Sequence, residues 1–246
     1  MKNAHLKTQD DRSSFKSSLC NKVAFLVFLC FLTENTTAAG APHRFDYRGN
    51  ETDRTALLAV KRQLVDHRDG VLGSWNSSVH HCAWAGVTCG SKHNRVTVLD
   101  LNSLGLSGPL FKVIQNFTSL VTLFADYNTF TGTIPQSIGR MRNLTYLGLG
   151  ANKLSGTLPV SLFNLSSLQL FDLTDNLFHG ELPPNLGFTH PRLIWLGLAQ
   201  NNFSGSIQII RNFTNLESII LHENSFTGRV LDDFHQFHNL NIISLI

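Results

Sequence analysis

Residues 144–159 read LTYLGLGANKLSGTLP, and close variants of this segment recur along most of the chain. Residues 120–135 read LVTLFADYNTFTGTIP, and residues 168–183 read LQLFDLTDNLFHGELP. The period is about two dozen residues, so residues 96–246 contain six units and the first strand of a seventh. Such regular self-similarity indicates a stacked repeat architecture. Further copies start at Val96, Leu193, Leu216 and Leu240.

Each unit follows the pattern L-x-x-L-x-L-x-x-N-x-L, which has a direct physical interpretation. Leu147 and Leu149 lie at alternate positions of a strand and point to one side, and Leu154 returns the chain to the same core. One unit cannot enclose these side chains, but stacked units share a core in which each enclosed leucine contributes about 1.5–3 kcal/mol. We therefore predict an α/β solenoid with a parallel β-sheet on its concave side.

An asparagine recurs at the turn that follows each predicted strand. Its amide can satisfy backbone groups of adjacent coils that would otherwise be buried without a hydrogen-bond partner. The first unit has Leu104 at this position, which we attribute to its contact with the segment that precedes the array. The recurring residues are Asn128, Asn152, Asn176, Asn201 and Asn224.

A second motif, L-x-G-x-I/L-P, ends at Pro135, Pro159 and Pro183 and is typical of the plant extracellular subtype of leucine-rich repeat. With CAWAGVTCG at residues 82–90, the chain resembles the amino-terminal cap and repeats of plant leucine-rich-repeat receptor-like kinases. The junction at residues 86–108 is most similar to the subfamily that contains immune receptors for bacterial patterns. This resemblance implies a right-handed superhelix, a helical, disulfide-bonded cap and recognition of a peptide or protein outside the cell.

The resemblance places the cap at residues 52–95 and the repeats at residues 96–246. In the cap, an amphipathic helix is expected to begin near Asp53 and to cover the open end of the first coil. The first, fifth and sixth units lack the motif's proline, which leaves the geometry of their lateral strands in question. The residues expected to cover the first coil are Leu57, Val60, Leu64 and Val65.

Residues 1–39 have the layout of a secretory signal peptide with a long amino-terminal region, and residues 40–51 then form a linker. The apolar run VAFLVFLCFL at residues 23–32 is followed by small residues, with cleavage expected near Ala39. The alternative is an uncleaved signal anchor. Ten apolar residues span only about 15 Å, which is half of a bilayer core.

Export determines how the cysteines and the charge are interpreted. Cys20 and Cys30 lie in the leader, so Cys82 and Cys89 are expected to pair in an oxidising compartment. The formal net charge is +3, and the leader supplies two of these units because it has five basic and three acidic residues. The remainder is nearly neutral, which argues against nucleic-acid binding.

Side chains that flank the inward leucines point out of the predicted concave sheet, because successive strand residues alternate between its faces. These positions carry aromatic residues and carboxylates, which suit a peptide with apolar and basic groups. We predict that a peptide or protein ligand binds here; the alternative is that each position is a variable residue facing solvent. The candidate residues are Phe124, Asp126, Tyr127, Tyr146, Asp172, Asp175, Trp195, His222 and Glu223.

Glycosylation signals of the form N-x-S/T are frequent outside the leader. Asn116, Asn164 and Asn212 fall at the twentieth or twenty-first position of their repeats, which we place on the convex or lateral side. No signal occupies a predicted concave position, so glycans would leave that face open, although steric exclusion from strands gives the same pattern. The signals start at Asn50, Asn76, Asn116, Asn143, Asn164, Asn202 and Asn212.

We find no sequence pattern for catalysis, a metal or a cofactor. His80, His81 and Cys82 are adjacent, but they lack the spacing of helical metal ligands, and Cys82 is expected in a disulfide. Gly148 and Gly150 lack the third glycine of a phosphate-binding loop and are expected to fill two exposed strand positions. The chain is therefore predicted not to be an enzyme.

These features favour the ligand-recognition module of a plant receptor-like kinase or receptor-like protein, acting at the cell surface in defence or signalling with a co-receptor kinase. The chain ends in the first strand of the seventh unit, so we expect a fragment or truncated product of such a receptor. The alternatives are a complete secreted inhibitor of microbial wall-degrading enzymes and a nonfunctional gene product. The ligand is not identified by the sequence.

Overall fold

The computed structural model describes residues 51–67, 70–114, 116–228 and 239–245. The predicted leader, all but the last residue of the linker, and the glycosylation signal at Asn50 therefore lie outside the described residues. Within the described ranges, no helix combines the length and the apolar character needed to cross a membrane.

The cap begins with helix α1 (Glu51–Gln63), whose Leu57 and Val60 are fully buried, as predicted. Leu64 is also buried, but the prediction for Val65 is wrong, because its side chain is 52% exposed. The chain leaves the helix and becomes extended at β1 (Val65–Asp66), so Val65 and Leu64 point to opposite sides. Two short 3-10 turns follow, at Leu72–Ser74 and His81–Ala83.

The predicted parallel sheet is present, with one strand from each coil. Its order is β15-β13-β11-β9-β7-β5-β3-β2, and only β2, which belongs to the cap, runs antiparallel to its neighbour. Leu147 and Leu149 are fully buried behind this sheet, so the inward leucines form the shared core. The strands are β2 (Val87–Cys89), β3 (Val96–Asp100), β5 (Thr122–Phe124), β7 (Tyr146–Gly148), β9 (Leu170–Asp172), β11 (Trp195–Gly197), β13 (Ser218–Ile220) and β15 (Ile242–Ser244).

A second sheet runs along the side of the coils in the order β1-β4-β6-β8-β10-β12-β14. The first, fifth and sixth units contribute regular strands to it, so the missing proline does not disturb their geometry. Pairing uses backbone groups that precede the proline position, which explains this tolerance. The strands are β4 (Leu106–Pro109), β6 (Thr129–Thr133), β8 (Lys153–Gly156), β10 (Leu177–Glu181), β12 (Asn202–Ser206) and β14 (Ser225–Thr227).

Short helical turns complete the coils on the side opposite the first sheet. These turns pack closely: a Cβ atom added to Gly187 would lie 2.5 Å from the carbonyl oxygen of Asn212 in the next coil. The turns are α2 (Phe111–Ile114), α3 (Leu186–Thr189) and the 3-10 segments Gln136–Arg140, Val160–Asn164 and Ile207–Asn212.

The asparagine ladder is confirmed, and each amide serves the preceding coil. The Asn152 amide nitrogen donates to the Ala125 carbonyl at 2.9 Å, and its Oδ1 accepts from the Phe130 N–H at 3.0 Å. Asn128, Asn176, Asn201 and Asn224 bond in the same pattern. The first repeat has no earlier repeat to serve, which explains why Leu104 can replace the asparagine there.

Candidate ligand-binding face

The centre of the first sheet holds two carboxylates in fixed positions above glycines. Asp126 Oδ1 accepts the Gly150 N–H at 2.6 Å, and a Cβ atom on Gly148 would lie 2.5 Å from Asp126 Oδ2. Asp172 Oδ1 accepts the Thr174 N–H at 2.8 Å. We call Asp126 and Asp172 the acidic pair.

Both members of the acidic pair border the same glycine. A Cβ atom on Gly150 would lie 3.2 Å from Asp126 Oδ1 and 3.7 Å from Asp172 Oδ1. A Cβ atom on Gly197 would lie 2.6 Å from Asp172 Oδ1, so this glycine is also covered. The prediction that Gly148 and Gly150 are exposed is wrong, because the carboxylates fold over them and both are buried.

The environment of the acidic pair disfavours two full negative charges. Burial raises the pKa of Asp126 to about 7, and the charges of Asp172 and Asp100 raise it further, against the lowering effect of the Gly150 N–H. Burial also raises the pKa of Asp172, while hydrogen bonds from Thr174 lower it. A cation placed against the pair would therefore favour ionisation of both groups.

Two of the predicted binding aromatics are less accessible than expected. Phe124 is 4% and Tyr146 is 9% exposed, and their ring centroids lie 6.5 Å apart. Neighbouring strands of a sheet lie only about 4.8 Å apart, so side chains of adjacent coils cover each other. Trp195 is half-buried, and its Nε1 is buried without a hydrogen-bond partner among the described residues.

The other four predicted residues lie at the edge of the sheet, where the chain turns. Tyr127, Asp175 and Glu223 have positive φ angles of 57°, 58° and 55°, and all three are exposed. Glu223 accepts a hydrogen bond from the side chain of Gln200 at 2.9 Å. His222 Nδ1 lies 2.9 Å from Ser244 Oγ. The nine predicted residues therefore separate into a central group and an edge group.

The glycine floor beneath the acidic pair was missed by sequence reasoning. Its signal was available, because Gly148 and Gly197 occupy strand positions equivalent to Phe124 and Asp172 in neighbouring coils. A glycine beside a carboxylate in the next coil gives that side chain room to lie flat.

The predicted glycosylation signals avoid this face. Asn212 is half-buried and donates its amide to the Pro184 carbonyl at 2.9 Å. Their modification stays a prediction. The remaining described signals start at exposed residues, which are Asn76, Asn116, Asn143, Asn164 and Asn202.

The cap contains the expected Cys82–Cys89 disulfide, with an S–S distance of 1.99 Å. Side-chain atoms of His80, His81 and Cys82 lie within 4.8 Å of one another. The Cys82 sulfur is bound to Cys89 and offers no thiolate, so these residues do not form a set of three metal ligands. The expectation of no metal site stays a prediction.

Comparisons with known proteins agree with the repeat and the cap. Residues 50–90 match the leucine rich repeat N-terminal domain, and residues 143–165 match the Leucine Rich Repeat. The Arabidopsis thaliana LRR receptor-like serine/threonine-protein kinase EFR is 43% identical over 96 residues, which are 39% of this chain and 9% of that protein.

Solved structures extend the similarity to most of the described residues. A chain of the Arabidopsis thaliana BIR3–SERK2 complex is 30% identical with a TM-score of 0.62, over 72% of this chain and 97% of that chain. The chain belongs to the plant leucine-rich-repeat receptor ectodomain family. The Arabidopsis receptor kinase HAESA, solved with the peptide hormone IDA and the co-receptor SERK1, is 30% identical with a TM-score of 0.72. That match covers 79% of this leucine-rich-repeat chain and 33% of HAESA.

The similarity to kinases concerns their extracellular cap and repeats. This leucine-rich-repeat chain spans about a tenth of the length of the curated relatives it matches, for example 8% of the putative receptor-like protein kinase At3g47110 from Arabidopsis thaliana. That relative is 46% identical over 85 residues, or 35% of this chain. Family membership is consistent with an extracellular or cell-surface location.

Proposed function

We propose that this chain is an extracellular recognition module of plant signalling or defence, which binds a peptide or protein ligand through a basic group seated on the acidic pair. The observation that carries the proposal is the fixed position of Asp126 and Asp172 above Gly150 at the centre of the concave sheet. Carboxylates held by backbone N–H groups are organised before the ligand arrives, which reduces the entropic cost of binding.

The wider surface fits a peptide better than a small cation. Tyr127 is 42% exposed and Trp195 is half-buried, so both offer aromatic area at either side of the acidic pair along the array. HAESA was solved with a peptide hormone and a co-receptor kinase, and this similarity supports a peptide ligand and a co-receptor for the present chain.

A displayed library of random peptides, selected against the chain at pH 8, tests the proposal. We expect enrichment of peptides with lysine, arginine or a free amino terminus. The Asp126→Asn/Asp172→Asn variant should bind the selected peptides at least about tenfold more weakly, because charge-assisted hydrogen bonds contribute roughly 1.5–3 kcal/mol. Isothermal titration calorimetry measures the difference.

The pH dependence gives an independent check. Protonation of Asp126 below its pKa of about 7 removes charge from the acidic pair, so affinity should fall as pH decreases from 8 to 6. Glu181→Gln, on the lateral strand β10, is the matched control and should bind as the parent does. Selected peptides without basic groups, or equal binding by the double variant, would contradict the proposal.

A further inference from the structure

His81 in the cap is buried in an unusual way. Its side chain is 1% exposed, and neither ring nitrogen has a hydrogen-bond partner among the residues that the structure describes. A buried polar group without a partner carries a desolvation cost, and the cost is far larger for the charged form. The position therefore accepts a neutral imidazole and rejects an imidazolium.

The indoles of the cap are arranged around this imidazole. The rings of His81 and Trp84 meet edge to face at 6.3 Å, and Trp84 stacks on Trp75 at 5.7 Å. Both indole N–H groups donate to backbone carbonyls, those of Ala85 and Asn76. His81 thus occupies the same packed cluster as the two largest side chains of the cap.

The charged groups around His81 do not offer it a free counter-ion. Asp53 on α1 is its nearest acidic group by influence, but both Asp53 oxygens already bind Arg95, at 2.8 and 2.9 Å. Asp53 also accepts the Val96 N–H at 2.8 Å. His80 next in sequence and Arg54 on α1 both oppose a positive charge.

These surroundings lower the pKa of His81 below 6.5, with burial as the largest cause and the charges of His80 and Arg54 as further causes. Asp53 and the Asn94 carbonyl act in the opposite direction and do not reverse the shift.

We infer that His81 is an acid-sensitive latch of the cap. In its neutral form it packs against Trp84 and keeps the cap closed over the first coil. In its protonated form it leaves the cluster for solvent, and the contacts between the indoles and the disulfide-bonded loop loosen. The latch goes beyond ligand recognition, because it concerns the state of the cap at a given pH.

The direction of the pH effect follows from linkage. Between the folded pKa and 6.5, the unfolded or opened cap binds more protons than the closed cap. The stabilising contribution of neutral His81 is therefore complete above pH 6.5 and decreases as the pH falls below it. Acid opens the latch, and neutralisation closes it.

Tryptophan fluorescence of the full chain tests the latch. The sequence has three tryptophans, so Trp195→Phe leaves only Trp75 and Trp84, which both report on the cap. In this background we expect a reversible shift of emission to longer wavelength as the pH falls below 6.5. Adding His81→Phe should abolish the shift, because phenylalanine fills the site and does not titrate.

A second variant and a control make the result decisive. His81→Gln is uncharged at every pH and carries the test if His81→Phe does not fold. His93→Gln changes an exposed histidine of the same cap and should leave the shift unchanged. Absence of the shift in the Trp195→Phe parent, or the same shift in a folded His81 variant, would overturn the inference.

Discussion

The cap and the repeats are stabilised in two different ways. In the repeats, one hydrogen-bond pattern made by an asparagine recurs in five coils, from Asn128 to Asn224. In the cap, each decisive contact occurs once: the Asp53–Arg95 ion pair, the Cys82–Cys89 disulfide and the tryptophan stack. The difference teaches that damage to the repeats is shared among neighbours, whereas damage to the cap has no substitute.

The two regions also respond to acid in opposite directions. Burial raises the pKa of Asp126 to about 7, so the folded repeats bind a proton more readily than the unfolded chain does. The contribution of this group to stability falls as the pH rises from about 4 to 7. For His81 the pKa is lowered, and the contribution falls as the pH decreases below 6.5. Mild acid therefore favours the centre of the repeats and disfavours the cap.

The largest effect is expected from Asp53→Ala in the cap. The substitution leaves Arg95 without its partner and removes the acceptor of the Val96 N–H. Breaking a buried ion pair costs about 3–5 kcal/mol, and we expect about 3 kcal/mol because the Arg95 side chain is 30% exposed. Urea denaturation followed by tryptophan fluorescence measures the free energy of unfolding.

The control for this prediction is Glu51→Ala in the same helix. Glu51 makes an exposed contact of 3.7 Å with Arg54, which should contribute less than about 0.5 kcal/mol. Equal losses in the two variants would show that Asp53 does not join the cap to the first strand.

A smaller effect is expected from Asn152→Ala in the middle of the repeats. The Phe130 N–H and the Ala125 carbonyl would lose their partner, at a cost of about 2 kcal/mol. Since Asn128 and Asn176 remain, the damage should stay local. Hydrogen exchange should accelerate at the Phe130 amide and remain unchanged in the cap.

Asn215→Ala is the matched control for the ladder. Asn215 also donates to a carbonyl of the preceding coil, that of Pro191, but at an exposed site where water can replace it. We expect a loss of about 0.5 kcal/mol there. If Asn152→Ala unfolded the cap as well, the idea that repeats share their damage would be wrong.

The regular part of the fold could be read from the sequence because it depends on local periodicity. Leu147 and Leu149 show the buried face of a strand at period two, and Asn152 marks the turn after it. The departure at Leu104 was also interpretable, because it coincides with the change of partner from repeat to cap. These features need no knowledge of distant contacts.

Other features depend on contacts between coils that no local pattern reveals. The Asp53–Arg95 pair joins residues 42 positions apart, and the sequence reasoning did not predict it. Phe124 and Tyr146 have the alternation of exposed residues, yet each is covered by its neighbours. The acidic residues were identified one at a time, but their arrangement around Gly150 follows from the stacking of three coils.

The smallest effect tests how closely the coils approach on the lateral side. Gly156 and Gly132 occupy equivalent positions with φ angles of 88° and 95°, so alanine is strained at both. At Gly156 the new Cβ would lie 2.8 Å from Thr133 Cγ2, whereas at Gly132 it would meet no atom within 4 Å. The common strain is about 1 kcal/mol, and the contact should add about 1 kcal/mol at Gly156 alone.

Thr133→Ser provides the complementary change, because it removes the methyl group that the new Cβ would meet. In the Thr133→Ser background, Gly156→Ala should cost no more than Gly132→Ala, as measured by the free energy of unfolding in urea. A coupling between positions 133 and 156 shows that the glycine gives room to a side chain of the preceding coil. Purely additive losses would mean that the glycine is needed only for its backbone angle, and that the lateral sides of the coils stack without close contact.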